Sequence, residues 1–384
     1  MGTLQEERNR LFLDIYSGKK PARVPFMTMI DIQAALEYLG YSVKRDFYSA
    51  QKCYEAADKM AELVDIDTLA TNPGSMPGAA YRYLGYKLMV PGEEGFFQHP
   101  NISLMEFDEY EQYIKDPYEF IVGTLRPRVF EVFNEEYPEL AFIKIRIARQ
   151  VVANEYAGMA PKLMEKHQRV NVQGMVGYSF APFDYIANNI RSFTTVLTDM
   201  KRSPQLVLDA LEATTNFEIQ MIKAFSKPPP GILPIVQVPL HMAPYMSSKD
   251  VEKFYWPTFV KIIQALVDHG FIPSIFFEAD WERHMYLLPG LPKGVISTSF
   301  ENVKRESIKK YLPSWAVLTR AFPFMLMKTG TKQECIDEVK RVIDDLAGDG
   351  KFIFGPNKGM LRAGDINMEN VQAIIQTVKE YGKY

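Results

Sequence analysis

Three residues of this sequence stand where an active centre could be built. His241 follows the apolar run ILPIVQV (232–238) and the pair Pro239-Leu240. Glu278 lies near the end of FIPSIFFEAD (271–280), just before Asp280. Glu301 follows GVISTSF (294–300). An apolar run that ends in a polar group reads as a buried parallel strand delivering chemistry at its C-terminal tip. One imidazole and two carboxylates on neighbouring strands can hold Zn²⁺ and leave a coordination position open. The same groups can instead serve as acid and base. In the plainer alternative, His241 makes a loop hydrogen bond and Glu278 forms a structural ion pair with Lys358. Further polar groups expected at strand ends are Asp31, Asn72, Tyr178, Asp280, Arg320 and Lys358. Phe276, Phe277, Trp281, Phe180, Phe183 and Tyr185 lie near these tips and suggest an aromatic-lined pocket for a flat apolar substrate. Core packing is the alternative, and one of Phe276 and Phe277 must face a core because strand neighbours point opposite ways. Arginine is scarce at the expected mouth, which predicts a substrate of low charge.

Holding these tips together requires alternating strands and helices. Strands are expected at 23–27, 64–71, 171–178, 232–238, 271–280, 294–300, 315–320 and 352–355. Helices with 3.6-residue periodicity are expected at 4–16, 32–39, 50–63, 204–224, 250–269, 305–311, 331–347 and 367–381. Repeated strand–helix units imply an α/β fold with a parallel sheet, and eight of them imply a (β/α)8 TIM barrel as one domain over 1–384. An open doubly wound sheet is the alternative. Between the second and third strands, about 84–170, an insertion is expected. It begins with a hairpin around GEEG, over 84–107, and continues as helices broken at Pro117, Pro127 and Pro138.

Composition narrows the function. The chain has 384 residues, a formal net charge of −3, 47% hydrophobic and 24% charged residues. This balance gives no reason to expect a nucleic-acid or membrane partner. No apolar run approaches a transmembrane length, and the charged N-terminal segment lacks a signal-peptide core. Two cysteines, Cys53 and Cys335, suit a reducing, cytoplasmic setting and argue against a thiolate metal site. No glycine-rich nucleotide motif follows a strand. A homodimer is the default oligomer.

Several segments in order resemble the uroporphyrinogen decarboxylase superfamily: ERNRLFLDIYSGKKPARVPF, FAPFDYIANNIRSFTTVLTDMKRSPQLV, MSSKDVEKFYWPTFVKII and NMENVQAIIQTVKEYGKY. The resemblance implies a (β/α)8 barrel. The superfamily includes porphyrinogen decarboxylases and corrinoid-dependent methyltransferases. The decarboxylases carry an arginine-rich loop after the first strand; here that loop reads MTMIDIQAAL and has none. The thiol-alkylating methyltransferases bind zinc through a His-x-Cys pair and a further Cys, which align with Phe276, Glu278 and Lys358. HMAPYMSSKDVEKFYWP and FFEADWERHMYLLPGLPKG resemble instead the first methyltransferases of O-demethylase systems.

That resemblance implies transfer of a methyl group from a methoxylated aromatic compound to the Co(I) corrinoid of a partner protein. The phenolate leaving group needs a Lewis acid or a proton donor beside it. His241, Glu278 and Glu301 would hold zinc, or one of them would give the proton. Tyr178 and Lys358 would orient or neutralise the phenolate. Phe276, Trp281, Phe180, Phe183, Asn72 and Arg320 would contact the substrate. Other donors (methanol, methylamine, methylthiol), a decarboxylase and a non-catalytic ligand carrier are the alternatives.

Overall fold

The structure, a computed structural model, describes residues 2–170 and 173–384. The first two residues of the strand expected at 171–178 lie outside the described residues. Six parallel strands pair in sequence order: β3 (Gln173–Tyr178), β4 (Leu233–Leu240), β5 (Ile272–Asp280), β6 (Ser297–Asn302), β7 (Val317–Thr319) and β8 (Phe352–Ile353), where β1 and β2 are the hairpin strands described below. Helices supply each crossover. The helix Trp256–Asp268 shows why: it buries Phe259, Ile262, Ile263 and Leu266 on one face, and Gly270, at φ 73°, ends it in the left-handed conformation a side chain would resist. The chain then enters β5. Phe277 is fully buried beneath the helices and stacks on Phe300 at 4.7 Å, while Phe276 faces the lumen.

The first two expected strands correct the sequence reading. Residues 23–30 and 64–70 do not form regular ladders; the first makes isolated parallel bridges, Phe26 with Phe354 and Ile30 with Met360, and the second is bent at 66–68. The physical cause is a carboxylate: the N–H of Phe26 donates to Asp67 Oδ2 at 2.8 Å rather than to a backbone carbonyl. Backbone hydrogen bonds still link these segments. Met27 N–H reaches Phe354 O at 2.9 Å, Phe354 N–H reaches Pro25 O at 2.8 Å, Asp67 N–H reaches Phe26 O at 3.2 Å, and Val170 N–H reaches Asp67 O at 2.7 Å. They connect β8 through both segments to the approach to β3, so the sheet curls as a (β/α)8 barrel does.

The helix Leu4–Tyr16 packs its apolar face, with Leu11, Phe12, Ile15 and Tyr16, against Ile235, Ile272, Val317 and Ile353 at the strand N-termini. One end of the lumen is thereby closed. At the other end lies the expected hairpin, β1 (Val90–Pro91) paired antiparallel with β2 (Phe97–Gln98). The Gln33 side chain docks it, donating to Gly95 O at 3.0 Å and accepting from Phe97 N–H at 3.2 Å. Gly95 has φ 91°, and a Cβ there would lie 2.5 Å from the Lys44 Cα. From Tyr110 to Lys166 the insertion is mostly helical. No helix among the described residues is long and apolar enough to cross a membrane.

Candidate active site

The strand tips converge around Glu278, which lines two cavities at once. One is the barrel lumen, about 560 Å³, bordered by Tyr178, Phe276, Arg320 and Lys358. The other is an outer groove of about 460 Å³, bordered by His99, Phe180, Asn188 and His241.

His241 leaves the end of β4 under firm control. Its backbone N–H and that of Met242 donate to the two oxygens of Asp184, at 3.1 and 2.8 Å. Asp184 is fully buried and also accepts from the Tyr255 hydroxyl. Burial pushes the Asp184 pKa up, and nearby His241 and these donors oppose that push. The side chain of His241 is thus aimed so that Nε2 lies 3.3 Å from Glu278 Oε2. Burial pulls the imidazole pKa down, but the Glu278 hydrogen bond and the charges of Asp184 and Glu278 outweigh it, leaving it above the ordinary value of 6.5. At Nδ1 the partner is the Asn188 amide, at 2.8 Å. An amide offers either a donor or an acceptor according to its rotation, so it can serve both the neutral ring and the imidazolium.

Glu278 is aimed by a break in β5. The β5–β6 register shifts between Phe277 and Asp280, and Ala279 sits at φ 62°, a region non-glycine residues seldom adopt. Its N–H donates to Glu301 Oε2 at 2.8 Å. Lys358 Nζ holds Glu301 Oε1 at 2.8 Å. Burial raises the Glu301 pKa, but Lys358 and the Ala279 N–H more than offset this and leave it lowered. Backbone strain collects here generally: of the four described non-glycine residues with positive φ, Ser192 and Ala279 border the groove and Arg320 the lumen.

The expected metal set is therefore not gathered. His241 and Glu278 meet, but Glu301 is engaged by Lys358 and the Ala279 N–H. Among the described residues no group of three or more His, Cys, Asp or Glu side chains is arranged to hold a metal ion. The plainer pairing of Glu278 with Lys358 does not form either; Lys358 takes Glu301 instead.

Other expected contacts separate into two groups. Phe276, Tyr178, Arg320 and Lys358 border the lumen, and Phe180 borders the groove. Trp281 and Phe183 do not reach either space. Both are fully buried: Trp281 packs edge-on against Phe277 and Tyr255, and Phe183 packs on Tyr255. The β5 bulge turns Trp281 back under the helices. Asn72 is also absent from both cavities; its side chain accepts from Gly74 N–H at 3.0 Å in a turn. Asp31 caps the helix Ile32–Tyr38.

Sequence reasoning missed His99 and Asn188. His99 follows β2 and is brought to the groove by the hairpin; burial, with the charge of His241, lowers its pKa. One signal was available, a histidine beside a hairpin in a chain with five. Asn188 lies in a π-helical turn, Ala187–Arg191, a widening that often marks functional sites but has no sequence signature.

A parallel α/β barrel with polar side chains gathered at the C-terminal ends of its strands is the architecture in which barrel enzymes carry their sites. The chain belongs to the uroporphyrinogen decarboxylase (URO-D) family, whose model matches residues 153–381. A methyltransferase from Methanosarcina mazei shares the fold across 99% of this chain and 99% of its own, with a TM-score of 0.58 and 14% identity. A B12-independent methionine synthase from Shewanella sp. W3-18-1, in complex with selenomethionine, matches 57% of this chain and 64% of its own at a TM-score of 0.37 and 13% identity. No curated protein matches the chain.

Proposed function

We propose that this chain is a methyltransferase that removes the methyl group of a methoxylated aromatic compound and passes it to the Co(I) corrinoid of a partner protein. One observation carries the reading: the His241–Glu278 pair, 3.3 Å apart, stands where the lumen meets the outer groove. A small substrate in the lumen and a large partner over the groove would meet at that pair.

The corrinoid, when delivered, supplies the nucleophile for the methyl carbon. The protein's task is the leaving group. As the C–O bond breaks, its electron pair goes to the aryl oxygen, which takes the proton that His241 Nε2 shares with Glu278 Oε2 and leaves neutral imidazole beside the carboxylate. Glu278 keeps the imidazolium charged until transfer, and it faces the transferring nitrogen itself, with Asn188 behind the ring at Nδ1. Phe276 and the methionines of the lumen, Met27, Met29 and Met175, hold the ring and keep water out. Tyr178 and Lys358 line the same wall and would orient the oxygen. Glu301 is held by Lys358 and the Ala279 N–H, so the proton-donor role falls to the His241–Glu278 pair.

Decarboxylation is the second reading, favoured by one observation: the half-buried Arg320 borders the lumen. The test combines protein, chemically reduced cobalamin and a panel of methoxybenzoates, methoxyphenols, methanol, methylamines and methylthiols. Loss of the Co(I) absorbance with release of a phenol from methoxyarenes alone is the expected result. CO₂ release from the acids, with the ether intact, would replace methyl transfer by decarboxylation.

A further inference from the structure

Among the described residues, Arg320 has no carboxylate partner. It follows β7 and points into the lumen, where its Nη2 donates to Ser299 Oγ at 2.8 Å and its guanidinium lies 5.0 Å from the centre of the Phe276 ring. Its Nε is buried and has no hydrogen-bond partner among the described residues. Burial pushes its pKa down to about 10, and Tyr16 is the one neighbour that opposes this. The chain also strains to hold it, at φ 56°. Gly355 leaves room for its stem: a Cβ there would lie 3.2 Å from Arg320 Cγ and 2.1 Å from Met27 O. A structural arginine at this depth would be paired, because an unpaired buried charge is costly. A strained backbone and an open guanidinium edge in a cavity instead describe half of a binding site.

The geometry points to the missing half. We propose that Arg320 anchors the carboxylate of the substrate, so that the methyl donor is a methoxylated aromatic monocarboxylate with the two groups on opposite ends of the ring. This deepens the methyl-transfer reading and rests on it. Phe276 and Glu278 lie on the same face of β5, two residues or roughly 6.6 Å apart. The guanidinium lies over Phe276, so the anion site lies deeper in the lumen than the Glu278 carboxylate. A carboxylate on Arg320 would place the ring beside Phe276, the ether oxygen at His241–Glu278, and the methyl group toward the groove from which a partner approaches. Lys358 already has a carboxylate, Glu301, at 2.8 Å, whereas Arg320 has none among the described residues. One guanidinium serves one carboxylate, so the site fits a monoanion and rejects the multiply acidic substrates that a ring of arginines would hold.

The test measures binding before turnover. 4-Methoxybenzoate and its neutral isostere 4-methoxybenzamide are titrated calorimetrically into the full chain and into Arg320→Met. The wild type is expected to bind the acid at least about tenfold more tightly than the amide, and Arg320→Met to bind both alike. Arg320→Lys, which keeps the charge without the fork, should retain a smaller preference and provides the comparison if Arg320→Met does not fold. Equal affinities in the wild type, an undiminished preference in Arg320→Met, or no binding of either compound would overturn the anchor. Turnover separates the two proposals. Acid-selective binding without phenol release leaves the anchor standing and removes methyl transfer. Phenol release from acid and amide alike leaves methyl transfer standing and removes the anchor.

Discussion

Glu301 Oε2 accepts the backbone N–H of Ala279 at 2.8 Å, so the residue expected as a metal ligand instead braces the strained backbone that aims Glu278. Lys358 fixes the other oxygen at 2.8 Å. Two acidic residues on adjacent strands thus do different work. Glu278 faces the imidazole, and Glu301 holds the peptide that follows Glu278.

The pH dependence of methyl transfer should follow His241. Its pKa lies above 6.5 because Glu278 and Asp184 favour the charged ring. The acid form is the working form, so the rate should be level at lower pH and fall as pH rises through the His241 pKa. Glu278→Gln removes the charge that supports the imidazolium and leaves only a neutral amide acceptor. The fall should then move to lower pH, and the rate at pH 7 should drop about 10²-fold, within the range that general acids contribute. Rates of phenol release across pH for both proteins check this. An unshifted profile in Glu278→Gln would remove His241 as the acid.

Glu218 should make the fold less stable in alkali. It is nearly fully buried, accepts from Ser179 Oγ at 2.9 Å, and burial pushes its pKa up to about 7 from 4.5. The folded state therefore binds the proton that the unfolded state has lost between those values. Stability falls as pH rises through that window and stays low above it. Glu218→Gln carries no charge, so its melting temperature should exceed that of the wild type at pH 8, with the gap narrowing towards pH 5. Thermal denaturation at both values decides it; a constant gap would mean that the carboxyl does not titrate in this range.

The parts of the fold written in periodic apolar runs were legible. FIPSIFFEAD is a strand, Ile272–Asp280, that carries Glu278 near its end, and the amphipathic stretch before Gly270 is the helix packed beside it. The hairpin was legible from GEEG. What failed depended on contacts distant in sequence. Asp67 looked like a residue inside an alternating strand, yet its carboxylate takes Phe26 N–H and interrupts the ladder. Trp281 follows Glu278 closely in sequence but is turned into the core by a bulge. Glu301 could be placed at a tip, but its pairing with Lys358 rather than with His241 is a matter of side-chain direction, which spacing does not encode.

The Asp67 network should be a main support of barrel closure. Asp67 is almost fully buried, and Arg23 donates to it through Nη1 at 2.8 Å and through Nη2 at 2.5 Å. Arg8 Nε lies 3.3 Å from Oδ1. Removing the carboxylate takes the main acceptor from the half-buried Arg23 guanidinium and the only one from the Phe26 N–H among the described residues, while Arg8 keeps Asp65 and the Gln168 carbonyl. Asp67→Ala should cost about 3–5 kcal/mol, read as a shift in the urea midpoint with an unchanged slope. A loss below about 1 kcal/mol would mean that water replaces the carboxylate and the closure does not depend on it.

Ala279→Gly separates strain from aim. A non-glycine residue at φ 62° costs about 1–2 kcal/mol in the left-handed region, which glycine avoids. The unfolded chain gains freedom with glycine and takes back roughly 0.5–1 kcal/mol. The two nearly cancel, so the melting temperature should move by no more than about 4 °C. Activity should not be so indifferent. Glycine lets the peptide after Glu278 sample other conformations, and the 3.3 Å approach to His241 would be held for less of the time. Phenol release should fall about tenfold, with the falling limb of its pH profile moved to lower pH as in Glu278→Gln. Unchanged rate and profile would show that the left-handed residue is a product of the bulge alone and does not aim the carboxylate.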